Sequence, residues 1–439
     1  MSKIDFSEDR VVVVDAPPGF GKTSLAIQQI RELPDDNKII YITPFLSEVK
    51  RIIDSCPNKN FVQPNVRVGR GSKMNHLLYL VLHGKNIVST HALFSNISDE
   101  MVNALRVNNY TLYLDEVFQT IENYSISNVT NRKDKDAVTK QDMTSLIAKG
   151  YVEIDDDYVV SWIDNENLLS KYEPLKKLAD RKSLYYVNDS LLLWSFPTDV
   201  FREGIFNKIF IMTYNFDHQI QSSYYKYHGI EYVKYGVRYN ELKKEYEPIE
   251  YDLVDELSWK NLIKNKIHIL DNDKLNRIGD VYRKANNIPY KAALSLAWFE
   301  NNPNLIRTLS DNIDNYYKHY APVPANMRLW TTFKTFAKKV KSRNVSMRAW
   351  LPLNARATND YAERTALCYA ANRYVNPFIY QFFSKREVLL DQDKISATEM
   401  IQWIWRSAVR NGQEIQIYIP SKRMRTLLEK FLNNEELVF

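Results

Sequence analysis

A turn rich in proline and glycine, Ala16 to Thr23, joins a run of four valines to a helical pattern. The valines, Val11 to Val14, predict a buried strand, and the residues from Ser24 to Arg31 predict a helix. A strand, a glycine-bearing turn and a helix N-terminus form a phosphate cradle, because the N–H groups of the turn and the positive end of the helix dipole point at the same anion. This stretch predicts an α/β fold that binds a nucleoside triphosphate.

Each residue type in this turn has a separate role. Gly19 and Gly21 allow a close approach of the backbone to phosphate, Lys22 can reach the β- and γ-phosphates, and the Thr23 hydroxyl can ligate Mg²⁺. Ala16 stands where the usual pattern has its first glycine. The cofactors that we predict are ATP and Mg²⁺, and the alternative is a β–α turn that binds nothing. The predicted nucleotide-binding residues of the loop are Pro18, Gly19, Phe20, Gly21, Lys22, Thr23 and Ser24.

Length and composition limit the class of protein. The 439 residues suffice for two or three domains, and 45% hydrophobic with 26% charged residues is typical of a globular protein. The sequence has no run of 18 apolar residues and no pattern of a signal peptide, so we expect no membrane span. Two distant cysteines indicate a reducing compartment, which predicts a cytoplasmic protein. Its 29 tyrosines against 11 glycines, with many Asn and Lys, suggest an AT-rich genome such as that of a phage.

Strand and helix patterns alternate over the first 120 residues, which predicts a parallel sheet with its site at the carboxyl ends of the strands. Residues 121–195 break this alternation. We interpret them as an insertion with a helix and a hairpin, in which Tyr151–Ile154 pairs with Tyr158–Val160. A winged-helix-like element is the alternative to a plain surface excursion. The sheet pattern resumes at Lys208–Met212.

A second α/β unit is predicted from about Glu250 onward, and the predicted domains are residues 1–245 and 246–439. Its strand and helix patterns have the same alternating character as those of the first unit. The predicted strands are Lys266–Leu270, Met327–Trp330, Ala349–Pro352 and Ile415–Ile419, and the predicted helices are Lys274–Asn286 and Tyr361–Phe383.

Two adjacent acids, Asp115 and Glu116, end an apolar strand about 90 residues after the phosphate loop. Acids at this position predict a hydrolytic site, in which Asp115 holds Mg²⁺ and Glu116 polarises the attacking water. The alternative is a pair of solvated acids. Strand placement downstream of a phosphate loop favours the hydrolytic interpretation.

The order of these segments resembles that of the superfamily 2 helicases, the group that contains the DEAD- and DEAH-box proteins. The resemblance spans about Val11 to Gly412 and implies two tandem RecA-like parallel-sheet domains. Together with the composition, it predicts a compact member of the group that a phage or mobile element encodes. It implies that Thr43, Pro44 and Thr90 contact nucleic acid and that Thr213 couples hydrolysis to strand movement. The matching segments are Tyr41–Pro44, Val88–His91, Asp115–Phe118 and Ile211–Tyr214, the last with Tyr214 in place of the family's alanine.

Two later segments extend the resemblance into the second half. Asn354–Asp360 is similar to the family's fifth motif, which implies that Thr358 contacts nucleic acid. Gln402–Arg410 is similar to the sixth, with Trp405 in place of its glycine, and it implies catalytic roles for Arg406 and Arg410. An arginine placed across a cleft stabilises charge on the γ-phosphate in the transition state. We expect Arg410 to contact the phosphate and Arg406 to brace the cleft against the acid pair, while two surface arginines are the alternative.

Aromatic and basic residues alternate near Trp330 and Lys334, and Lys422, Arg423 and Arg425 form a second basic cluster. This pattern predicts a groove in which lysines contact phosphates and rings stack on bases. A solvated helix face is the alternative for such runs.

The leading hypothesis is an ATP-dependent motor that moves on or unwinds nucleic acid. Its predicted catalytic residues are Lys22, Glu116, Arg406 and Arg410. Single-stranded DNA is favoured as partner, RNA stays open, and replication or recombination proteins are further candidates. The alternatives are a terminase-type packaging ATPase, a small-molecule or polynucleotide kinase, and a nucleotide-switched module without catalysis. A packaging enzyme requires a cluster of nuclease acids, for which Asp391, Asp393 and Glu399 are the nearby candidates.

Overall fold

The computed structural model describes residues 6, 8–69, 71–124, 138–163, 170–187, 191–202, 204–280, 292–354 and 360–436. The strands in these ranges are β1 (Val11–Asp15), β2 (Ile39–Thr43), β3 (Ile87–Thr90), β4 (Tyr110–Asp115), β5 (Ile121–Tyr124), β6 (Val152–Ile154), β7 (Val160–Trp162), β8 (Leu184–Val187), β9 (Leu191–Ser195), β10 (Phe206–Thr213), β11 (Val233–Asn240), β12 (Glu245–Glu250), β13 (Ile267–Ile269), β14 (Arg328–Thr331), β15 (Ala366–Tyr369) and β16 (Ile415–Tyr418).

Helices separate most of these strands along the chain. They are α1 (Lys22–Glu32), α2 (Leu46–Ser55), α3 (Lys73–Leu82), α4 (His91–Phe94), α5 (Asp99–Asn108), α6 (Lys140–Ala148), α7 (Glu173–Asp180), α8 (Ile220–Tyr227), α9 (Glu256–Lys264), α10 (Asp273–Asp280), α11 (Leu296–Asn301), α12 (Pro303–Asn315), α13 (Lys334–Val340), α14 (Pro377–Ser384), α15 (Gln392–Ile404) and α16 (Lys422–Leu432). In the described ranges, no helix combines the length and the apolar character that crossing a membrane requires.

The first lobe is a seven-stranded sheet with the order β12-β11-β1-β10-β4-β2-β3. Its strands are parallel apart from the edge strand β12, which pairs with β11 in the antiparallel sense. The apolar run of β1 reflects burial on both faces of the sheet, where Val12 and Val13 are fully buried. Each such side chain stabilises the fold by roughly 1.5–3 kcal/mol. The sheet brings the carboxyl ends of β1, β10 and β4 side by side.

The second lobe is a four-stranded parallel sheet with the order β13-β16-β15-β14. Trp330, Trp403 and Tyr369 are among its largest fully buried side chains. The two sheets confirm the predicted fold class of tandem RecA-like parallel-sheet domains. The boundary after residue 245 stays a prediction, and β12 at the edge of the first sheet runs on to Glu250.

Residues 121–195 form the predicted insertion, which we call the inserted element. It contains the antiparallel sheet β5-β9-β8, the hairpin β6–β7 and the helices α6 and α7. Arg386 in the second lobe contacts this element, because its guanidinium donates to the Asp157 carbonyl and lies 5.4 Å from the centre of the Tyr185 ring. The same guanidinium lies 3.9 Å from the ring of Phe382 on α14. The inserted element therefore spans from the first lobe to the second.

Two secondary-structure predictions for the second half are wrong. The helix predicted over residues 361–383 is the buried strand β15 followed by α14, because a short apolar run such as 366–371 fits a buried strand as well as a helix. Residues 349–352, which we predicted as a strand, do not form one. Met347–Ala349 is a 3₁₀ turn, and Trp350 forms only an isolated bridge to Trp330. The predicted helix from Lys274 is α10, and its continuation after residue 280 lies outside the described residues.

Candidate nucleotide and hydrolysis site

The phosphate loop lies between β1 and α1 with two glycines in the left-handed region. Gly19 has φ of +90° and Gly21 has φ of +89°, which residues with a Cβ rarely adopt. Gly21 is the N-cap of α1, and the first turn of this helix has neither a side-chain cap nor an acidic residue. The N–H groups at the start of α1 therefore receive neither a capping side chain nor a carboxylate from the first turn of this helix. This suits them to bind a phosphate.

Lys22 points back across the loop. Its ammonium donates to the carbonyls of Ala16 at 2.6 Å and Pro17 at 3.1 Å. Burial lowers the pKa of Lys22, while the nearby carboxylates of Glu116, Asp15 and Asp115 act in the opposite direction. A cation held by carbonyl oxygens and surrounded by acids can move to a phosphate with little rearrangement of the fold.

Asp115 is the last residue of β4 and is buried. It accepts hydrogen bonds from the Thr23 hydroxyl at 3.4 Å and the Thr43 hydroxyl at 3.5 Å. Burial, reinforced by the charges of Glu116 and Glu48, raises the pKa of Asp115 to about 7. A carboxylate and a hydroxyl supply the oxygen ligands that Mg²⁺ prefers, so Thr23 and Asp115 fit the predicted metal.

This raised pKa predicts a pH dependence of stability. Between about pH 4 and pH 7 the unfolded chain ionises Asp115 while the folded, metal-free protein keeps it protonated. The contribution of this group to the free energy of unfolding therefore falls as pH rises through that window. Urea unfolding in EDTA from pH 5 to pH 8 should show Asp115→Asn gaining stability relative to wild type as pH rises. A pH-independent difference between the two proteins would contradict the raised pKa.

Glu116 follows Asp115 in an unusual backbone conformation. Its φ is +63°, a left-handed value that costs a non-glycine residue on the order of 1–3 kcal/mol. Its carboxylate accepts a hydrogen bond from the Thr213 hydroxyl at 3.3 Å. The amide of Gln219 in turn donates to the same hydroxyl at 2.8 Å. The ends of β4 and β10 are thus joined through Glu116, Thr213 and Gln219.

The second lobe reaches this site through Trp405 and Arg406. The Arg406 guanidinium lies 3.8 Å from the Glu116 carboxylate and is buried. The Trp405 ring covers Gly19, where an added Cβ would lie 2.8 Å from the ring. Phe20 of the loop packs against the apolar core of the second lobe. The site is therefore two-lobed, with an arginine facing the acid pair.

Arg410 lies in a different environment from Arg406. It is half-buried, and burial lowers its pKa while the charge of Glu48 on α2 raises it. Arg406, which we expected to brace the cleft against the acid pair, is the arginine beside Glu116. Arg410, which we expected to contact the γ-phosphate, is instead influenced by the charges of Glu48 and Arg51. We therefore propose Arg406 as the phosphate contact in place of Arg410.

The predicted nucleic-acid contacts separate into three groups. Pro44 and Thr90 are half-buried at the ends of β2 and β3, and Lys334 is exposed at the start of α13. Thr358 lies outside the described residues. The remaining three predictions, Trp330, Thr43 and Thr213, need correction because all three side chains are fully buried.

These corrections have direct physical reasons. Trp330 belongs to the core of the second lobe and donates its ring N–H to the Ser346 carbonyl, so it cannot stack on a base. The hydroxyls of Thr43 and Thr213 contact the acid pair rather than a surface. In the second basic cluster, Arg423 is buried and pairs with Asp393, and Arg425 pairs with Asp280.

The three acids required by a packaging nuclease do not form a metal site. Asp391 caps α15, Asp393 pairs with Arg423, and Glu399 pairs with Arg373 at 2.8 Å. Over the whole described part of the chain, no three His, Cys, Asp or Glu side chains come together to hold a metal ion.

Three polar residues of the site were missed in the sequence. Asp15 accepts hydrogen bonds from the N–H groups of Asn215 at 2.6 Å and Phe216, and burial raises its pKa to about 6. A ring nitrogen of His91 lies 3.0 Å from the Asp115 carbonyl oxygen. Asp15 lies at the end of β1, and this position could have indicated its place in the site. Gln219, the third residue, and His91 stand in no sequence pattern that could have indicated theirs.

The fold and site thus define a two-lobed α/β protein with a phosphate loop, an acid pair and an arginine from the second lobe. The SPbeta prophage-derived protein YonV of Bacillus subtilis (strain 168) is 36% identical over 436 residues, which cover 97% of this chain and 100% of that protein. The YonV C-terminal Rossmann-like domain matches residues 261–432, and the YonV middle domain matches residues 134–194. The chain therefore belongs to the YonV family.

Among solved structures, Xpd4 of S. tokodaii aligns with a TM-score of 0.47 and 13% identity, covering 97% of this chain and 94% of that one. The DUF1998 helicase MrfA bound to DNA and AMPPNP aligns with a TM-score of 0.33 and 11% identity, covering 97% of this chain and 48% of that one.

Proposed function

We propose that this protein is a superfamily 2-type motor that hydrolyses Mg-ATP between its two lobes and uses the energy to move on or unwind nucleic acid. The observation that carries the proposal is the buried guanidinium of Arg406, which lies 3.8 Å from Glu116. An arginine that a second lobe supplies to a phosphate-loop site makes hydrolysis depend on closure of the lobes.

The residues of the chain have complementary parts in this mechanism. The loop N–H groups and Lys22 bind the phosphates, and Thr23 and Asp115 hold Mg²⁺, which neutralises developing charge when bound. Glu116 accepts a proton from the attacking water, while Arg406 moves from Glu116 to the γ-phosphate. The bond between Thr213 and Glu116 links this step to Gln219. Gln219 and Gln402 of the second lobe both donate to the Tyr214 carbonyl, which extends the link to that lobe.

The rate of ATP hydrolysis, measured with and without single-stranded and duplex DNA and RNA, tests this function. We expect stimulation by single-stranded DNA, and replication or recombination proteins are the protein partners that we propose. Hydrolysis that no polynucleotide changes would reject the motor. Phosphate transfer from ATP to a small acceptor would favour a kinase instead.

Glu116→Gln should separate nucleotide binding from chemistry. The amide keeps the shape of the side chain but cannot accept a proton, so we expect turnover to fall about 10²–10⁴-fold. Binding of a fluorescent ATP analogue, measured by anisotropy, should persist. Glu153→Gln, which changes an exposed glutamate of β6, is the matched control and should hydrolyse ATP as wild type does. Loss of nucleotide binding in Glu116→Gln would mean that Glu116 is structural.

A further inference from the structure

A cavity of about 370 Å³ lies where the two lobes and the inserted element meet. We call it the junction cavity. It is separate from the phosphate loop, and none of the predicted nucleotide-binding residues lines it. Its lining includes Glu122 and Asn123 of the inserted element, Gln219 of the first lobe, and Arg373, Tyr374 and Glu399 of the second.

The walls of the junction cavity combine polar and apolar side chains, and their charges nearly balance. Arg373 and Glu399 form an ion pair at 2.8 Å, so their charges compensate each other. Glu122, Asn123 and Gln219 add hydrogen-bonding oxygen and nitrogen atoms, and Tyr374 adds an aromatic ring. A wall without excess positive charge does not suit a phosphate, whereas amides, a carboxylate and a ring suit the edge and face of a nucleobase.

The size of the cavity agrees with this chemistry. Its volume lies near the lower end of the ~300–1,000 Å³ range of small-molecule sites, so it suits one nucleoside-sized group and excludes a duplex. Arg386 holds the inserted element against the second lobe, which keeps the elements around the cavity together.

Gln219 connects the junction cavity to the hydrolysis site. Its amide nitrogen donates to the Thr213 hydroxyl at 2.8 Å and to the Tyr214 carbonyl at 2.6 Å. The Thr213 hydroxyl donates to Glu116, the residue to which Arg406 is paired. A group that enters the cavity and displaces Gln219 therefore changes the hydrogen bonding of Glu116.

We propose that the junction cavity takes up one unpaired base of a bound nucleic-acid strand and thereby signals strand occupancy to Glu116. This inference rests on the proposed motor function and adds to it a base-binding site that Gln219 couples to hydrolysis. Base contacts of this kind strengthen binding by about 5- to 150-fold, while phosphate contacts made elsewhere dominate the affinity for the strand.

The test compares three single strands of thymidine: one unmodified, one with a single 2-aminopurine, and one abasic throughout its central segment. Asn123→Trp fills the cavity from an exposed position on β5, and Asn103→Trp on the exposed face of α5 is the matched control. With wild type and Asn103→Trp, binding should change the 2-aminopurine fluorescence, and the abasic strand should stimulate hydrolysis about tenfold less than the unmodified one. Asn123→Trp should still bind the strand, but its binding should leave the 2-aminopurine fluorescence unchanged. The abasic and unmodified strands should stimulate its hydrolysis equally. Circular dichroism checks that the variant folds.

Several results would overturn the inference, and they differ from failure of the motor itself. Equal stimulation by abasic and unmodified strands, or wild-type behaviour of Asn123→Trp, would reject the base site but leave the motor intact. If wild type binds free adenosine, Asn123→Trp does not, and no strand changes the rate of hydrolysis, the cavity binds a small molecule instead. If no strand binds to wild type or stimulates it, the motor fails and the base site with it.

Discussion

Lys22→Ala should have no ATP hydrolysis above background, measured by phosphate release with and without single-stranded DNA. Lys22 is the cation of the phosphate loop. Among the hydrogen bonds of the described residues, its ammonium donates only to carbonyls of this loop. Its removal deletes the charge that meets the β- and γ-phosphates. Because burial already disfavours the charged form of this lysine and lowers its pKa, the variant should fold normally.

The control for this experiment is Lys50→Ala, which removes an exposed lysine of α2 in the same lobe. It should hydrolyse ATP at the wild-type rate. Thermal unfolding of both variants separates a lost site from a lost fold. Normal turnover by folded Lys22→Ala would reject the assignment of the phosphate loop.

The sequence predicted the centre of the first lobe well because its signals are local. The four valines of β1, the glycines of the loop and the acids at the end of β4 each determine their own neighbourhood. The strand that carries Thr213 was also found, but its position between β1 and β4 depends on the sheet order. That order brings Thr213 to Glu116, and no pattern along the chain encodes the contact.

Long-range packing explains the errors. Trp330 is an aromatic residue close to lysines in the sequence, which is the pattern of a base-stacking site. Both faces of β14 are covered, however, and the ring is fully buried. The run Ala366–Tyr369 has no alternation because β15 lies between two other strands of a parallel sheet, and such runs do not distinguish strand from helix.

Trp405 is a residue of the second lobe whose contacts extend to the first. The superfamily 2 pattern has a glycine at this place, and here the ring covers Gly19 of the phosphate loop. The ring also lies 5.6 Å from that of Trp259, so Trp405 contacts the loop while it packs in the second lobe. Trp405 therefore fixes the position of its neighbour Arg406 relative to the loop.

The two arginines of this segment should consequently differ in effect. We expect Arg406→Ala to lose about 10³–10⁵ in nucleic-acid-stimulated turnover, as loss of an arginine finger does, and to retain nucleotide affinity. Arg410→Ala is the matched variant, four residues away and beside Glu48 rather than Glu116, and should lose much less. Single-turnover hydrolysis and anisotropy with a fluorescent ATP analogue measure the two quantities separately.

The comparison of these variants decides how the second lobe takes part in hydrolysis. Arg406 lies 3.8 Å from Glu116, so a movement of a few ångströms suffices to carry it from the acid to a γ-phosphate. A larger loss in Arg410→Ala than in Arg406→Ala would mean that the lobes rearrange before hydrolysis and exchange one arginine for the other. Wild-type turnover in both variants would leave a one-lobed ATPase, because no charge from the second lobe would then act on the phosphate.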